Sequence, residues 1–178
     1  MHTGVCTGGL QPIGVRCAGH GSTVPPRRAA VKIIRWSRPE ITGRVGPVTI
    51  DYRTSEPVDK AALNQLMEDA WPDHALMDPE VLRRHSAGWV CAYDGAQLVG
   101  FVNVAWDGAT HFFLLDTTVA PSHQRRGIGA ALVAAAVVLS KQRGGDWLHV
   151  DYEEELAAFY EGCGFQPTPA GLIQLYEE

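Results

Sequence analysis

Six residues in the middle of the chain, Gln124-Arg125-Arg126-Gly127-Ile128-Gly129, have the makings of an anion seat. They follow an apolar run, Leu114 to Val119, and the turn Pro121-Ser122-His123. They open a second apolar run that ends near Arg143, before Gly144-Gly145. A strand, a glycine turn and a helix in that order aim several backbone N–H groups at one point. The first N–H groups of a helix have no internal partner, and the dipole makes that end electropositive. Phosphate and pyrophosphate bind at such ends. Glycine removes the Cβ that would hold the anion away. No Asp or Glu stands between Asp116 and Asp146, whereas Arg125, Arg126, Lys141 and Arg143 do. Helices commonly carry an acid in the first turn; this one leaves that place to a ligand. The other reading is a plain helix start with solvated arginines, because short glycine motifs recur by chance.

Rival chemistries fit less well. A dinucleotide fingerprint wants Gly or Ala where Leu132 stands, and no G-x-x-x-x-G-K-S/T occurs. The four cysteines, Cys6, Cys17, Cys91 and Cys163, form no C-x-x-C pair. Free thiols in a reducing, cytoplasmic setting are therefore expected. His2, Cys6, Cys17 and His20 match no common zinc spacing, so no metal is expected.

The elements that must position the glycine turn can be read from periodicity. Val48 to Arg53 alternates like a strand. Pro57 to Trp71 carries a helical apolar stripe, and Pro79 to His85 follows Asp78 as N-cap. Trp89–Tyr93 and Leu98–Trp106 flank Asp94-Gly95 as a hairpin, and His111–Val119 follows the turn Asp107-Gly108. After the central helix come a strand, Trp147–Asp151, and a short helix, Leu156–Glu161. Two closing strands are expected at Phe165–Gln166 and Leu172–Tyr176. The order β-α-α-β-β-β-α-β-α-β-β predicts an α+β (α/β layered) domain on a mixed, mostly antiparallel central sheet flanked by helices.

With 178 residues, 46% hydrophobic and 20% charged, the chain can bury one sizeable core. No apolar run approaches the roughly 20 residues of a membrane span, so no membrane partner is expected. The net charge of −5 is unevenly spread. Residues 1–44 hold seven Lys or Arg and one acid, net +6, and the remainder carries −11. The basic, Gly/Pro/Arg-rich segment 1–44 is expected to be a disordered tail, and 45–178 the folded domain. A targeting segment, a natural tail and an upstream start all share that composition. The acidic domain suits a cationic acceptor rather than nucleic acid.

Two motifs carry a resemblance. Gln124-Arg125-Arg126-Gly127-Ile128-Gly129 resembles the Q/R-x-x-G-x-G/A signature of the GNAT N-acetyltransferase superfamily, and it stands after the strand ending Val119-Ala120-Pro121. Phe159-Tyr160-Glu161-Gly162-Cys163-Gly164-Phe165 resembles that family's (L/F)-Y-x-x-x-G-F, and the order of elements from Val48 to Tyr176 is similar too. The resemblance implies an acetyl-CoA-dependent N-acetyltransferase. It places the CoA pyrophosphate on the backbone of Gln124, Arg125, Arg126, Gly127, Ile128, Gly129 and Ala130. The pantetheine arm would lie between Leu114–Val119 and Trp147–Tyr152, with backbone groups of Thr118 and Val119 beside the thioester. Tyr160 becomes the general acid that meets the leaving sulfur. Where family members often carry a Glu base, this chain has Phe113. Asp116 and His149 are the leading base candidates that remain, Asp116 only if a bulge turns it; Asp151 and Glu153 beside His149 are candidates too. A water held by backbone carbonyls is a further option.

Two functions follow. One is transfer of the acetyl group to an amine acceptor by direct attack in a ternary complex. The alternative is a non-catalytic acyl-CoA-binding sensor or docking module. The expected closing strands also offer an edge for a homodimer.

Overall fold

The computed structural model describes residues 49–72, 74–173 and 175. The segment expected to be a disordered tail lies outside the described residues. Five strands form one sheet in the order β1-β2-β3-β4-β5. They are β1 (Asp51–Thr54), β2 (Ser86–Asp94), β3 (Gln97–Trp106), β4 (His111–Val119) and β5 (Trp147–Val150). The first four are antiparallel neighbours, and β5 runs parallel to β4. A parallel pair needs a crossover, which α3 (Ile128–Gln142) supplies. The other helices are α1 (Lys60–Ala70), α2 (Pro79–His85) and α4 (Ala157–Gly162).

Side-chain caps set the helix starts. Asp59 accepts from the Ala62 N–H at 2.8 Å, so α1 begins beyond the expected Pro57. Asp78 accepts from the Glu80 N–H at 2.9 Å, with Pro79 in the first turn of α2. Gly95, at φ 60, turns β2 into β3. The middle of β3, Leu98 to Val104, is buried throughout, as befits a strand covered on both faces. On one face a Cβ at Gly100 would meet Leu132 and Ile128 of α3. On the other, Thr118, paired with Phe101, donates its hydroxyl to Met67 Sδ of α1 at 3.4 Å. Leu63, Leu66, Met67 and Leu82 complete the core on that side.

Two departures from regularity matter for function. The β4–β5 pairing ends at Leu114 with Val150, while β4 continues to Val119. Beyond Leu114 that edge of β4 has no strand beside it among the described residues. In addition, β4 carries a bulge: its register against β3 shifts between Phe101 and Asn103, and Asp116 takes φ 54. The extra residue twists the strand and re-aims its side chains.

The expected α+β class, with its mixed, mostly antiparallel sheet, is present, but neither closing strand forms among the described residues. Gly164, at φ 98, ends α4 in a left-handed turn, and the Phe165 N–H bonds back to Tyr160 O at 3.1 Å. Pro167 and Pro169 then remove two ladder donors. Phe165, Gln166, Leu172, Ile173 and Leu175 are irregular, while Gln174 and Tyr176 lie outside the described residues. The expected pairing edge for a homodimer is thus not a strand among the described residues. No helix among the described residues is long and apolar enough to cross a membrane.

Candidate active site

The glycine turn sits where the sheet begins to part. Gly127 is the N-cap of α3 at φ 80, and the helix has no acid in its first turn. The first intrahelical bond runs from Ala131 N to Gly127 O at 3.1 Å. The Ile128, Gly129 and Ala130 N–H groups precede it and are therefore free of helix partners. Arg125 is also left-handed, at φ 59. Left-handed residues in such a turn gather successive N–H groups into an anion-binding concavity. Gly129 has a packing reason as well: a Cβ there would stand 3.3 Å from Phe159 Cζ. Ile128 is buried against Gly100, which fixes the helix start against β3. Arg125, Arg126 and Ala130 are exposed at the mouth.

Two polar ties hold this turn to the sheet. Gln124 Nε2 donates to Val119 O at 3.2 Å. His123 Nε2 lies 3.1 Å from Asp94 Oδ2 at the end of β2, and its Nδ1 lies 2.9 Å from Ser122 Oγ. The expected ligands on β4 divide in their roles. Ala120 N–H bonds Val99 O at 2.9 Å, so Ala120 faces β3. By alternation Val119 turns its N–H and C=O to the gap. The Thr118 side chain is buried against Met67, and its one hydroxyl hydrogen is shared between Met67 Sδ and Asp116 O at 3.1 Å. Thr118 thus holds the strand, and the group it leaves at the gap is the N–H of its neighbour Val119.

Tyr160 of α4 is 6% exposed. Its ring stacks on Tyr152 at 5.0 Å and takes the edges of Phe159 and Phe165. Tyr152 follows β5, and the Thr117 side chain of β4 lies near enough to the phenol to ease its ionisation. Tyr160 therefore reaches from one strand to the other where they diverge. Tyr160 is the buried residue of α4, and Phe159 covers Gly129 half-buried. Burial pushes the phenol above its ordinary range, and Thr117 offsets part of that rise.

The bulge turns Asp116 toward the α1 side, as the base role required. There Asp116 Oδ1 lies 3.6 Å from His74 Nε2, and Oδ2 accepts from Asn103 Nδ2 at 3.4 Å. His74 follows α1 and opens on a cavity of about 370 Å³ lined also by Ala70, Trp71 and Pro72. His149 goes elsewhere. Its Nε2 lies 2.8 Å from His111 Nδ1, and its ring stacks on Phe113. Phe113 stands three residues before Asp116, roughly 10 Å along the strand, so the two leading base candidates are not brought together. Asn103 is the residue that sequence reading passed over. Its signal was one polar side chain inside an otherwise apolar run, Leu98 to Ala105.

A family model described as Acetyltransferase (GNAT) family matches residues 52–165. Among solved structures, a GNAT-family acetyltransferase from Streptococcus pneumoniae is 27% identical, with a TM-score of 0.59 over 73% of this chain and 100% of that one. The aminoglycoside N-acetyltransferase AAC(6')-Iy in complex with CoA is 21% identical, with a TM-score of 0.60 over 73% and 95%. Glucosamine-6-phosphate N-acetyltransferase from Arabidopsis thaliana is 14% identical, with a TM-score of 0.57 over 72% and 99%. The last two are likenesses of fold.

Proposed function

The chain belongs to the GNAT family of acetyltransferases, and on that premise we propose that it moves the acetyl group of acetyl-CoA directly to an amine held in the same complex. It is an acyltransferase whose acetyl donor is acetyl-CoA; the ternary-complex route and the residue roles below are the proposal. The CoA pyrophosphate sits on the backbone N–H groups of the turn from Gln124 to Ala130, with Arg125 and Arg126 at its rim. The arm enters the gap beside β4, and the Val119 N–H polarises the thioester carbonyl. A preorganised donor placed where the oxyanion develops stabilises the transition state more than the substrate.

One observation carries this reading: β4 and β5 part after Leu114 and Val150, and the Tyr160 phenol is buried across the opening. When the tetrahedral intermediate collapses, the C–S bond breaks and leaves a thiolate. An ordinary thiol titrates near 8.5 and a phenol near 10. Burial raises the phenol, which by itself opposes proton transfer. The thiolate, however, forms in the same dry crevice, and desolvation raises its proton affinity too. Tyr160 thus stays protonated until the sulfur needs its proton. The base belongs on the Asp116 side of the bulge, while His149 is engaged with His111. A non-catalytic sensor would have no use for a buried phenol at the gap.

The test is to incubate the full chain with acetyl-CoA and a panel of amines, following free thiol and product mass together. The expected result is amine-dependent thiol release matched by an equal amount of N-acetyl product. An acetylated enzyme that forms without amine and then passes the group on would overturn direct transfer.

A further inference from the structure

The cluster around Asp116 holds more hydrogen-bond acceptors than donors. His74 Nδ1 lies 2.6 Å from the Ala75 carbonyl. A carbonyl only accepts, so Nδ1 carries the hydrogen, and a neutral His74 then has its lone pair on Nε2. That lone pair faces Asp116 Oδ1 at 3.6 Å. Asn103 is 7% exposed, and its Oδ1 is buried without a partner. Turning the amide over does not help, because its oxygen would then face the carboxylate in place of Nδ2. With a neutral His74, no donor among the described residues meets His74 Nε2, Asp116 Oδ1 or Asn103 Oδ1; the first two belong to side chains about a quarter exposed, and only the third is sealed from water. Native proteins rarely leave a buried acceptor unpaired unless something else supplies the donor.

We propose that His74 and Asp116 receive the acceptor's ammonium group, with Asn103 Nδ2 holding the Asp116 carboxylate in place, and that His74 Nε2 is the base that removes its proton. This rests on the transferase reading above. An ammonium group brings one N–H to Nε2 and another to Oδ1, whereas a hydroxyl has a single hydrogen to give. Trp71, beside His74 in the same cavity and half-exposed, offers its ring to the body of the acceptor. One ammonium proton passes to Nε2. The resulting imidazolium is held between the Ala75 carbonyl and the Asp116 carboxylate. The freed nitrogen lone pair attacks the thioester carbon, the N–C bond forms and the C–S bond breaks. The thiolate takes the Tyr160 proton, and a second amine proton restores the phenol. The products are the amide, the CoA thiol and one proton released from His74 to solvent. Thr117, which meets Tyr160, and Asp116, which meets His74, are neighbours in the chain, so donor and acceptor of protons flank one short stretch of β4.

The experiment has two arms on the full chain. In the first, kinetics are measured on any primary amine that the wild type acetylates. His74→Gln should lower kcat about 100-fold with acetyl-CoA affinity unchanged. Added imidazole should restore part of the rate in His74→Ala, and Asn103→Leu should raise the acceptor KM at least tenfold. A kcat within threefold of wild type in His74→Gln overturns the proposal and leaves the transferase reading standing. The second arm needs no turnover. Histidine ¹⁵N shifts of the CoA-bound protein should show His74 as the Nδ1–H tautomer. Butylammonium at a concentration near its wild-type Kd should move them in the wild type and hardly at all in Asn103→Leu, while tetramethylammonium moves neither. Shifts of His74 that ignore butylammonium overturn the seat.

Discussion

The two sides of the bulge in β4 differ in every respect that matters to a proton. On one side, Thr117 meets the Tyr160 phenol in a shell of aromatic rings, where burial favours the neutral, protonated acid. On the other, Asp116 meets His74 and Asn103, and His74 opens on a cavity. A regular strand would also send successive side chains to opposite faces. The bulge adds a left-handed residue at Asp116 that aims the carboxylate at the α1 loop. In the proposed mechanism, environment, more than residue type, sorts the roles: a dry aromatic pocket suits an acid, and an imidazole beside a carboxylate suits a base.

The hardest blow to the dry side is Tyr160→Phe. It keeps the ring and its packing and removes only the proton. Turnover should fall at least tenfold, toward the range of about 10²–10⁴ typical of acid catalysis, with acetyl-CoA affinity intact. The sign of the pH effect follows from burial. The phenol titrates above its ordinary value, so raising the pH toward about 10 should not by itself cost the wild type its acid. A rate on the natural acceptor that is equal in both proteins across pH would reduce Tyr160 to packing and leave the bulge with one active side.

Both sides depend on the thioester being delivered between them, which the glycine turn must do. Gly127→Val has open space around the new side chain, so it tests backbone conformation alone. A β-branched residue held left-handed should lose about 1–2 kcal/mol of stability. The rise in melting temperature on adding CoA, which reports binding to the native state, should largely vanish. An undiminished shift would place CoA elsewhere. Asp94→Asn is a gentler probe, because it weakens one tie of the same turn through His123. We expect a KM for acetyl-CoA raised about threefold, with kcat nearly unchanged. A fall in kcat with KM constant would mean that the tie serves the chemistry instead. The smallest effect is expected from removing residues 1–44, whose Gly/Pro/Arg-rich composition gives little apolar surface to bury. Melting temperature and CoA affinity should match the full chain, and a drop of several degrees would make that segment part of the domain.

Much of this was legible from local pattern. The glycine turn, the acid-free window and the order of strands and helices are short-range features, set by periodicity, helix caps and conformational freedom at Gly127. Tyr160 was legible because motif and spacing coincide. The bulge was not, since a shifted register depends on how β3 and β4 pair. The closing strands were misread because their apolar residues suggested an edge, whereas the left-handed Gly164 and the bond from Phe165 to Tyr160 commit the chain to another path.

The sequence by itself determined that a strand would lead through a glycine turn into a helix with nothing acidic at its start, an arrangement suited to an anion. Those properties belong to neighbouring residues and the backbone they dictate. Which groups face one another across the site was decided by tertiary structure. His74, Asn103 and Asp116 come from the α1–α2 loop and two strands. Their approach to one another exists only once β3 and β4 have paired and the loop after α1 has folded against them.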